Sequence, residues 1–272
     1  MPAEFKDLSF AEYLKAPGLS SSFLRNMSRS PAHAKYLADM DRDTAALQIG
    51  RALHCAVLEP AEYGTRYRVG PQCDRRTKQG KADWAAFESS CSPDCEMLDV
   101  SEDMAVRGMS AALMAHGLAG QLLRHERMRA EQSLFWTTKG VECKARLDCI
   151  TEFFGEPIVL DVKTTTNAAE FERSIVKYGY HIQCAWYLRG LKAANFTPIR
   201  FLFVAVESMP PHGVAVYELD GTFLQAANQE IDSNFERYIE CVKANHWPAY
   251  SEDIRYVACP TWMDDGILEA GE

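Results

Sequence analysis

At 272 residues, the chain can form one large domain, or a domain with a subdomain, around its own core. Its 47% hydrophobic and 25% charged residues are those of an ordinary soluble globular protein. A net charge of −9 and a pI near 5.4 exclude a surface coated in basic residues for nucleic acid, though not basic residues gathered in a channel.

The first residues, MPAEFKDLSFAEYL, show no basic region followed by an apolar stretch, so no signal peptide is expected. The apolar run FLFVAV is far short of the roughly 20 residues a membrane helix needs, and a cytoplasmic protein with no membrane partner is expected. Nine cysteines are scattered along the chain. Cys143, Cys149 and Cys184 fall at predicted core positions, where a free thiol acts as a small hydrophobe. Cys91 and Cys95 are the one close pair, and no second pair at zinc spacing follows, so no structural metal or iron–sulfur site is expected.

Taken in order, residues 1–17 read as loosely ordered. GLSSSFLRNMSRSPAH then carries N-cap candidates at Ser20, Ser21 and Ser22, a short helix with Phe23, Leu24 and Met27, and a second helix start at Pro31. Arg25, Arg29, His33 and Lys35 make this stretch basic. It reads either as a capped helix with a solvated face or as a phosphate clamp of hydroxyls, helix amides and arginine. TAALQIGRALHCAVLE (44–59) is a helix ended by Pro60, with His54 beside its apolar stripe, where a satisfied boundary histidine is the ordinary reading.

Residues 61–100 are the least regular. Arg66, Arg68, Arg75, Arg76, Lys78 and Lys81 alternate with Tyr63, Tyr67 and Trp84, which suits either a solvated loop and short helix or a surface that tracks a nucleic-acid backbone. CSPD (91–94) reads as a turn. One long helix, or two broken near Gly117 and Gly120, is predicted from Ser101 to Arg129. EQSLFWTT (131–138) is a strand; Glu131 reads either as a further carboxylate near the site or as an ordinary strand-start residue, and the ordinary reading is favoured.

The stretch VECKARLDCITEFFGEPIVLDVK (141–163) organises the rest. Val141, Cys143, Ala145, Leu147 and Cys149 alternate with Glu142, Lys144, Arg146 and Asp148, as in a half-buried strand with a charged face. A turn is expected from Thr151 to Pro157. IVLDVK then places Asp161 and Lys163 on one face of a second strand. In a hairpin, Asp148 and Asp161 lie side by side with Lys163 next to them. Two carboxylates beside an amine on a rigid sheet suit a hard divalent cation such as Mg²⁺.

Helices follow from Asn167 and from Tyr180, the second with Tyr180, Gln183 and Tyr187 on one face, and then strands at 200–206 and 213–219. A closing helix spans 223–242, and the tail beyond is loosely ordered. This order predicts an α/β fold with a mixed central β-sheet flanked by helices.

The motifs, in their order, resemble the RecE (exonuclease VIII) nuclease-domain family of the PD-(D/E)xK superfamily, which also holds lambda exonuclease and the RecB nuclease domain. They are LSSSFLRNMSRSPAH, GRALHCAVLEP, EQSLFW with GVECKARLDCI, IVLDVKTTT and KYGYHIQCAWYLRG. The resemblance implies a single PD-(D/E)xK domain, with residues 18–250 as its core. His54, Asp148, Asp161 and the Val162 carbonyl would hold two Mg²⁺ ions, for which Mn²⁺ could substitute. Lys163 would orient and activate water. Gln183 and Tyr187 would support the lysine or the scissile phosphate. Ser20, Ser21, Ser22 and Arg25 would hold a 5′-phosphate.

By the same resemblance, the substrate is a double-stranded DNA end, degraded 5′→3′ for recombination. The enzyme would act as a ring-shaped homo-oligomer beside a RecT-like single-strand annealing protein. Three alternatives stay open: a solvated strand face of ion pairs, another PD-(D/E)xK nuclease of RecB-like or CRISPR-adaptation type, and a non-catalytic DNA-binding scaffold.

Overall fold

The computed structural model describes residues 3–40, 44–92 and 95–259. Two hairpins set its centre. Strands β4 (Arg129–Thr138), β5 (Val141–Phe153) and β6 (Glu156–Thr165) pair antiparallel in succession. Their turns are Lys139–Gly140 and Phe154–Gly155, and all four turn residues have positive φ (49°, 79°, 52° and 81°). Paired left-handed residues define the type I′ turn, whose twist matches that of the strands it joins. The second turn is therefore tighter than the expected Thr151–Pro157 span, because Thr151 to Phe153 stay in β5 and Pro157 pairs with Glu152.

Two-residue turns leave no slack in register. Gln132 faces Leu147 and Ala130 faces Cys149, so Glu131 stands across from Asp148. Cys149 faces Leu160, so Asp148 in turn stands across from Asp161.

The full sheet has the order β1-β4-β5-β6-β7-β8. β1 is Glu4–Lys6, β7 is Arg200–Glu207 and β8 is Val214–Glu218. Only β6 and β7 run parallel, joined by the crossover helices α9 (Phe171–Tyr178) and α10 (Tyr180–Ala193). The predicted mixed sheet flanked by helices is the observed fold. One apolar layer joins the sheet to α2 (Ser21–Met27), α9, α10 and α11 (Gly221–Ala244) through Leu24, Phe171, Trp186, Phe203 and Ile231. The other joins it to α4 (Ala45–Leu58), α7 (Val100–Ala115) and α8 (Gly117–Leu123) through Leu53, Met109, Leu113, Leu160 and Val204. The long stretch from Ser101 is thus two helices. They break at His116, whose Nδ1 accepts from the Ala119 N–H at 3.1 Å and caps α8.

The expected single-face alternation of β5 does not hold throughout. Cys143, Ala145 and Leu147 pack into the first layer, but Cys149 packs into the second. Asp148 sits at the changeover. The pairing of β5 with β6 also ends here, at Cys149 and Leu160, and the two strands part. Beyond the fork other groups satisfy the β5 backbone. Leu19 donates to the Glu142 carbonyl at 2.8 Å and accepts from the Lys144 N–H at 2.9 Å, and Trp186 Nε1 donates to the Lys144 carbonyl at 3.1 Å.

The start of the chain, expected to be loose, is built into the fold. β1 pairs with β4, and α1 (Phe10–Lys15) is closed by a capping box at Ser9. Lys144 Nζ donates to the carbonyls of Tyr13, Leu14 and Ala16 at 3.0, 3.2 and 2.7 Å, so a strand residue satisfies the C-terminal carbonyls of this helix. The charged face of β5 is covered as a result. Between α4 and α7 lie α5 (Pro60–Arg66), β2 (Tyr67–Val69), α6 (Lys78–Ser89) and β3 (Glu96–Leu98), with β2 and β3 paired parallel. α3 (Pro31–Ala38) begins at the expected proline. Residues 93–94 of the predicted turn and 260–272 of the predicted tail lie outside the described residues, and 247–259 hold no helix or strand.

Gly155 tests the turn. No atom crowds its position, but its φ of 81° suits glycine. Gly155→Val, a β-branched residue in a left-handed position, is expected to cost about 1–2 kcal/mol. Urea unfolding reads that loss; unchanged stability would contradict the turn geometry.

Candidate active site

The fork gathers the polar residues that the two hairpins align. Asp161 is fully buried. Its Oδ2 accepts from Gln183 Nε2 of α10 at 2.7 Å, and its Oδ1 forms an ion pair with Lys163 Nζ. That oxygen is buried, and Lys163 is the group that meets it. Asp148 Oδ2 accepts from the Val162 N–H at 2.9 Å, so a side chain replaces a ladder bond where the strands part. α4 brings His54 to the same point. Its Nε2 lies 2.8 Å from the Val162 carbonyl and 3.6 Å from Asp148 Oδ2, and its Nδ1 lies 3.8 Å from Glu131 Oε1.

Glu131 is the main correction to the sequence reading. It is a member of the site, not a plain strand-start residue. Ligand atoms of His54, Glu131 and Asp148 lie within 4.8 Å of one another. Its φ of 51° places a non-glycine residue in the left-handed region inside a strand. Such backbone persists where surrounding contacts hold it. Here Arg146 does so: Nε donates to Glu131 Oε2 at 2.6 Å, and Nη1 donates to Ser133 Oγ at 2.7 Å and the Leu8 carbonyl at 2.8 Å. The signal for Glu131 lies in the Lys139–Gly140 turn, which sets it opposite Asp148.

The charges respond to this crowding. Burial and the neighbouring Asp161 push the Asp148 carboxyl up to about 7, against the pull of His54 and Lys163. Burial disfavours the His54 imidazolium, but Asp148 and Glu131 override it and raise the group to about 9. Burial likewise opposes charge on Lys163, and the Asp161 and Asp148 carboxylates raise it well above the ordinary lysine value. Lys163 is therefore an ammonium.

Of the predicted ligands, His54, Asp148 and the Val162 carbonyl converge, while Asp161 is turned toward Lys163 and Gln183. Oxygen donors with one imidazole form a donor set for a divalent cation. The converging donor atoms of His54, Glu131 and Asp148 and the raised Asp148 carboxyl are what an acidic cluster short of positive charge would show, so the residues fit a metal.

The aromatic assignments shift by two turns. Lys163 Nζ lies 5.0 Å from the centre of the Tyr180 ring, which covers it. Tyr187 lies deeper, buried against Phe201. Arg25 is placed beside the site: Nη1 donates to the Tyr178 carbonyl at 3.0 Å, and its stem packs on Gly179, next to Tyr180. Ser20 Oγ accepts from the Phe23 N–H at 3.3 Å, so this hydroxyl serves as the N-cap of α2. Ser21 is half-buried and Ser22 is exposed.

A family profile described as a PDDEXK-like domain of unknown function (DUF3799) matches residues 20–260. The chain belongs to that family. Among solved structures, the PDDEXK-like chain is similar to a protein named "Putative exonuclease" from Eubacterium rectale. The two align over 98% of this chain and 100% of the other, with 13% identity and a TM-score of 0.64. At that identity the likeness is one of fold. A second structure, SSO0001, aligns over 82% of this chain and 86% of its own at 15% identity and a TM-score of 0.28, too low to bear on the argument. No curated protein matches the sequence. Among the described residues, no helix is long and apolar enough to cross a membrane.

Metal affinity should follow proton occupancy. A cation bound by this cluster displaces the proton of His54, held to about 9, and below that the proton of Asp148, held to about 7. Mn²⁺ affinity measured calorimetrically is expected to fall roughly tenfold per pH unit from 9 to 7, and more steeply below. A flat profile would show that these groups are not the ligands.

Proposed function

We propose that the chain is a metal-dependent deoxyribonuclease that degrades linear double-stranded DNA from its 5′ ends and leaves 3′ single strands for recombination. One observation carries this reading: Glu131, Asp148 and His54 converge beside the Asp161–Lys163 pair at the fork of the sheet. PDDEXK-like membership, the RecE-like order of motifs and the name of the Eubacterium rectale protein support it.

In this reading the chain's own groups divide the work. His54, Glu131, Asp148 and the Val162 carbonyl would hold a divalent cation, with Asp161 able to join once it turns from Lys163. Bound there, Mg²⁺ or Mn²⁺ would lower the pKa of its water and offset phosphate charge. Lys163, kept protonated by two carboxylates, presents positive charge to the scissile phosphate and orients the attacking water. Gln183 fixes the Asp161 carboxylate, and Tyr180 shields the lysine from bulk water. Arg25, which donates to the Tyr178 carbonyl at the α9–α10 junction, would hold a terminal phosphate, a role that rests on the resemblance. A ring of identical subunits and a single-strand annealing partner belong to the same proposal and rest on the resemblance.

The test is digestion of linear duplex DNA labelled separately at its 5′ and 3′ ends, with Mg²⁺ and with EDTA. Mg²⁺-dependent release of the 5′ label, with circles untouched, is the expected result. Asp161→Asn, which preserves shape and the Gln183 contact, is expected to slow cleavage at least about 100-fold, the scale of losing one preorganised group. Cutting of circles would identify an endonuclease of the same fold. No cutting with Mg²⁺ or Mn²⁺ would favour the DNA-binding scaffold.

A further inference from the structure

The segment 68–87 has five basic residues against two acidic ones, Asp74 and Asp83, in a chain of net charge −9. Its structure organises those charges. β2 leads at Gly70 into a loop and then α6. Gly70 lies so close to Trp84 that a Cβ would sit 2.3 Å from the ring, and Gly80 is similarly tight against the Asp74 carbonyl. The loop is therefore folded back on the helix. Two guanidiniums lie over the aromatic rings of α6, Arg75 at 4.2 Å from the centre of Trp84 and Arg68 at 5.7 Å from that of Phe87. These cation–π contacts tie both guanidiniums to α6. Beside them Lys78 and Lys81 are exposed.

Several arginines elsewhere meet carboxylates, as Arg107, Arg127, Arg146, Arg189 and Arg200 do, while Arg124 and Arg237 bond to backbone carbonyls. Here, among the described residues, Arg66 pairs with Glu59 and Arg76 with Asp74, while Arg68, Arg75, Lys78 and Lys81 form no ion pair within 4.0 Å. Residues 72–76 line an open depression of about 480 Å³ under the loop.

We infer that this arm, residues 68–87, is a sequence-independent grip for the phosphate backbone of DNA, separate from the cleavage site. Charge complementarity selects the occupant, since four exposed basic side chains outside any close ion pair, gathered on an acidic protein, answer a polyanion. Clustered charge favours the phosphate backbone over the bases, since it meets every phosphate alike. The arm is tied to the site. Arg51 of α4 donates to Glu96 of β3 at 3.2 and 2.7 Å, and Gln48 donates to the Met97 carbonyl at 2.9 Å. β3 pairs with β2, and Arg51 lies one helical turn before His54. DNA held by the arm is thereby held in a fixed relation to α4.

The inference deepens the nuclease reading and rests on it, so the test separates binding from cutting. Fluorescence anisotropy of a labelled 30-base-pair duplex, with the full chain in EDTA between 50 and 200 mM KCl, reads binding alone. Mn²⁺-dependent hydrolysis of bis(p-nitrophenyl) phosphate reads the cleavage site alone.

Arg75→Glu/Lys78→Glu/Lys81→Glu is expected to weaken binding at least tenfold. The slope of log affinity against log salt should shrink by about 3, since each neutralised phosphate contributes about 0.9 to it. Hydrolysis of the small substrate should be unchanged. Lys78→Glu/Lys81→Glu, which touches neither ring, carries the test if the triple variant misfolds.

Wild-type affinity and salt slope in both variants would overturn the inference, as would a wild-type chain that does not bind DNA. Variants that keep DNA affinity but lose self-association in sedimentation would overturn it in favour of a protein interface. Arm-dependent binding by a wild-type chain that hydrolyses neither substrate would uphold the grip and sink the nuclease reading.

Discussion

Register is the constraint on which the molecule depends. In a strand, a shift of one residue sends every side chain to the opposite face. Two turns with no spare residue, Lys139–Gly140 and Phe154–Gly155, prevent such a shift in the three central strands. They place Glu131, Asp148 and Asp161 in one row across the sheet. The functional cluster follows from backbone geometry set in the turns, well away from the site, and rigid strands hold it more precisely than a loop would.

The second constraint is charge. Three carboxylates brought together in a buried place repel one another, and burial penalises each. The structure offsets this with a cation at either end of the row: Arg146 on Glu131, and Lys163 on Asp161. His54 lies between them, drawn toward Asp148 and Glu131. The middle of the row remains the least compensated, and there the Asp148 carboxyl rises to about 7. The fork in the sheet supplies the space, because β5 and β6 separate where the carboxylates meet. A divalent cation is the natural partner for such a position.

Much of this is legible in the sequence. Asp148, Asp161 and Lys163 stand out because alternation puts Asp148 on the charged face of one strand and Asp161 with Lys163 on one face of the next, where a hairpin brings them together. His54 stands out through the motif around it, and the structure seats it against the Val162 carbonyl. Glu131 escapes a reading of the sequence because a carboxylate at a strand end looks like solvent-facing charge. Only the short turn after β4, read as a register rule, places it opposite Asp148. The face of Tyr180, Gln183 and Tyr187 is visible as a helical spacing, but spacing does not say how deep each residue lies. The first of them covers Lys163, the second binds Asp161, and the third is core. The changeover of β5 at Asp148 is not legible, because it arises from the fork and the left-handed Glu131, which are tertiary features. Nor is the docking of α1, which depends on Lys144 reaching across from β5 to the carbonyls of a helix near the start of the chain.

The central claim is that the Glu131–Asp148–His54 cluster exists to hold a divalent cation. Thermal unfolding at pH 8 with increasing MnCl₂ tests it most directly. A cation at about 100 times its dissociation constant stabilises the folded state by about 2.7 kcal/mol. For a domain of this size that raises Tm by about 5–10 °C. The account predicts that rise in the wild-type chain and its loss in Asp148→Asn. An unshifted Tm, or the same rise in Asp148→Asn, would contradict it.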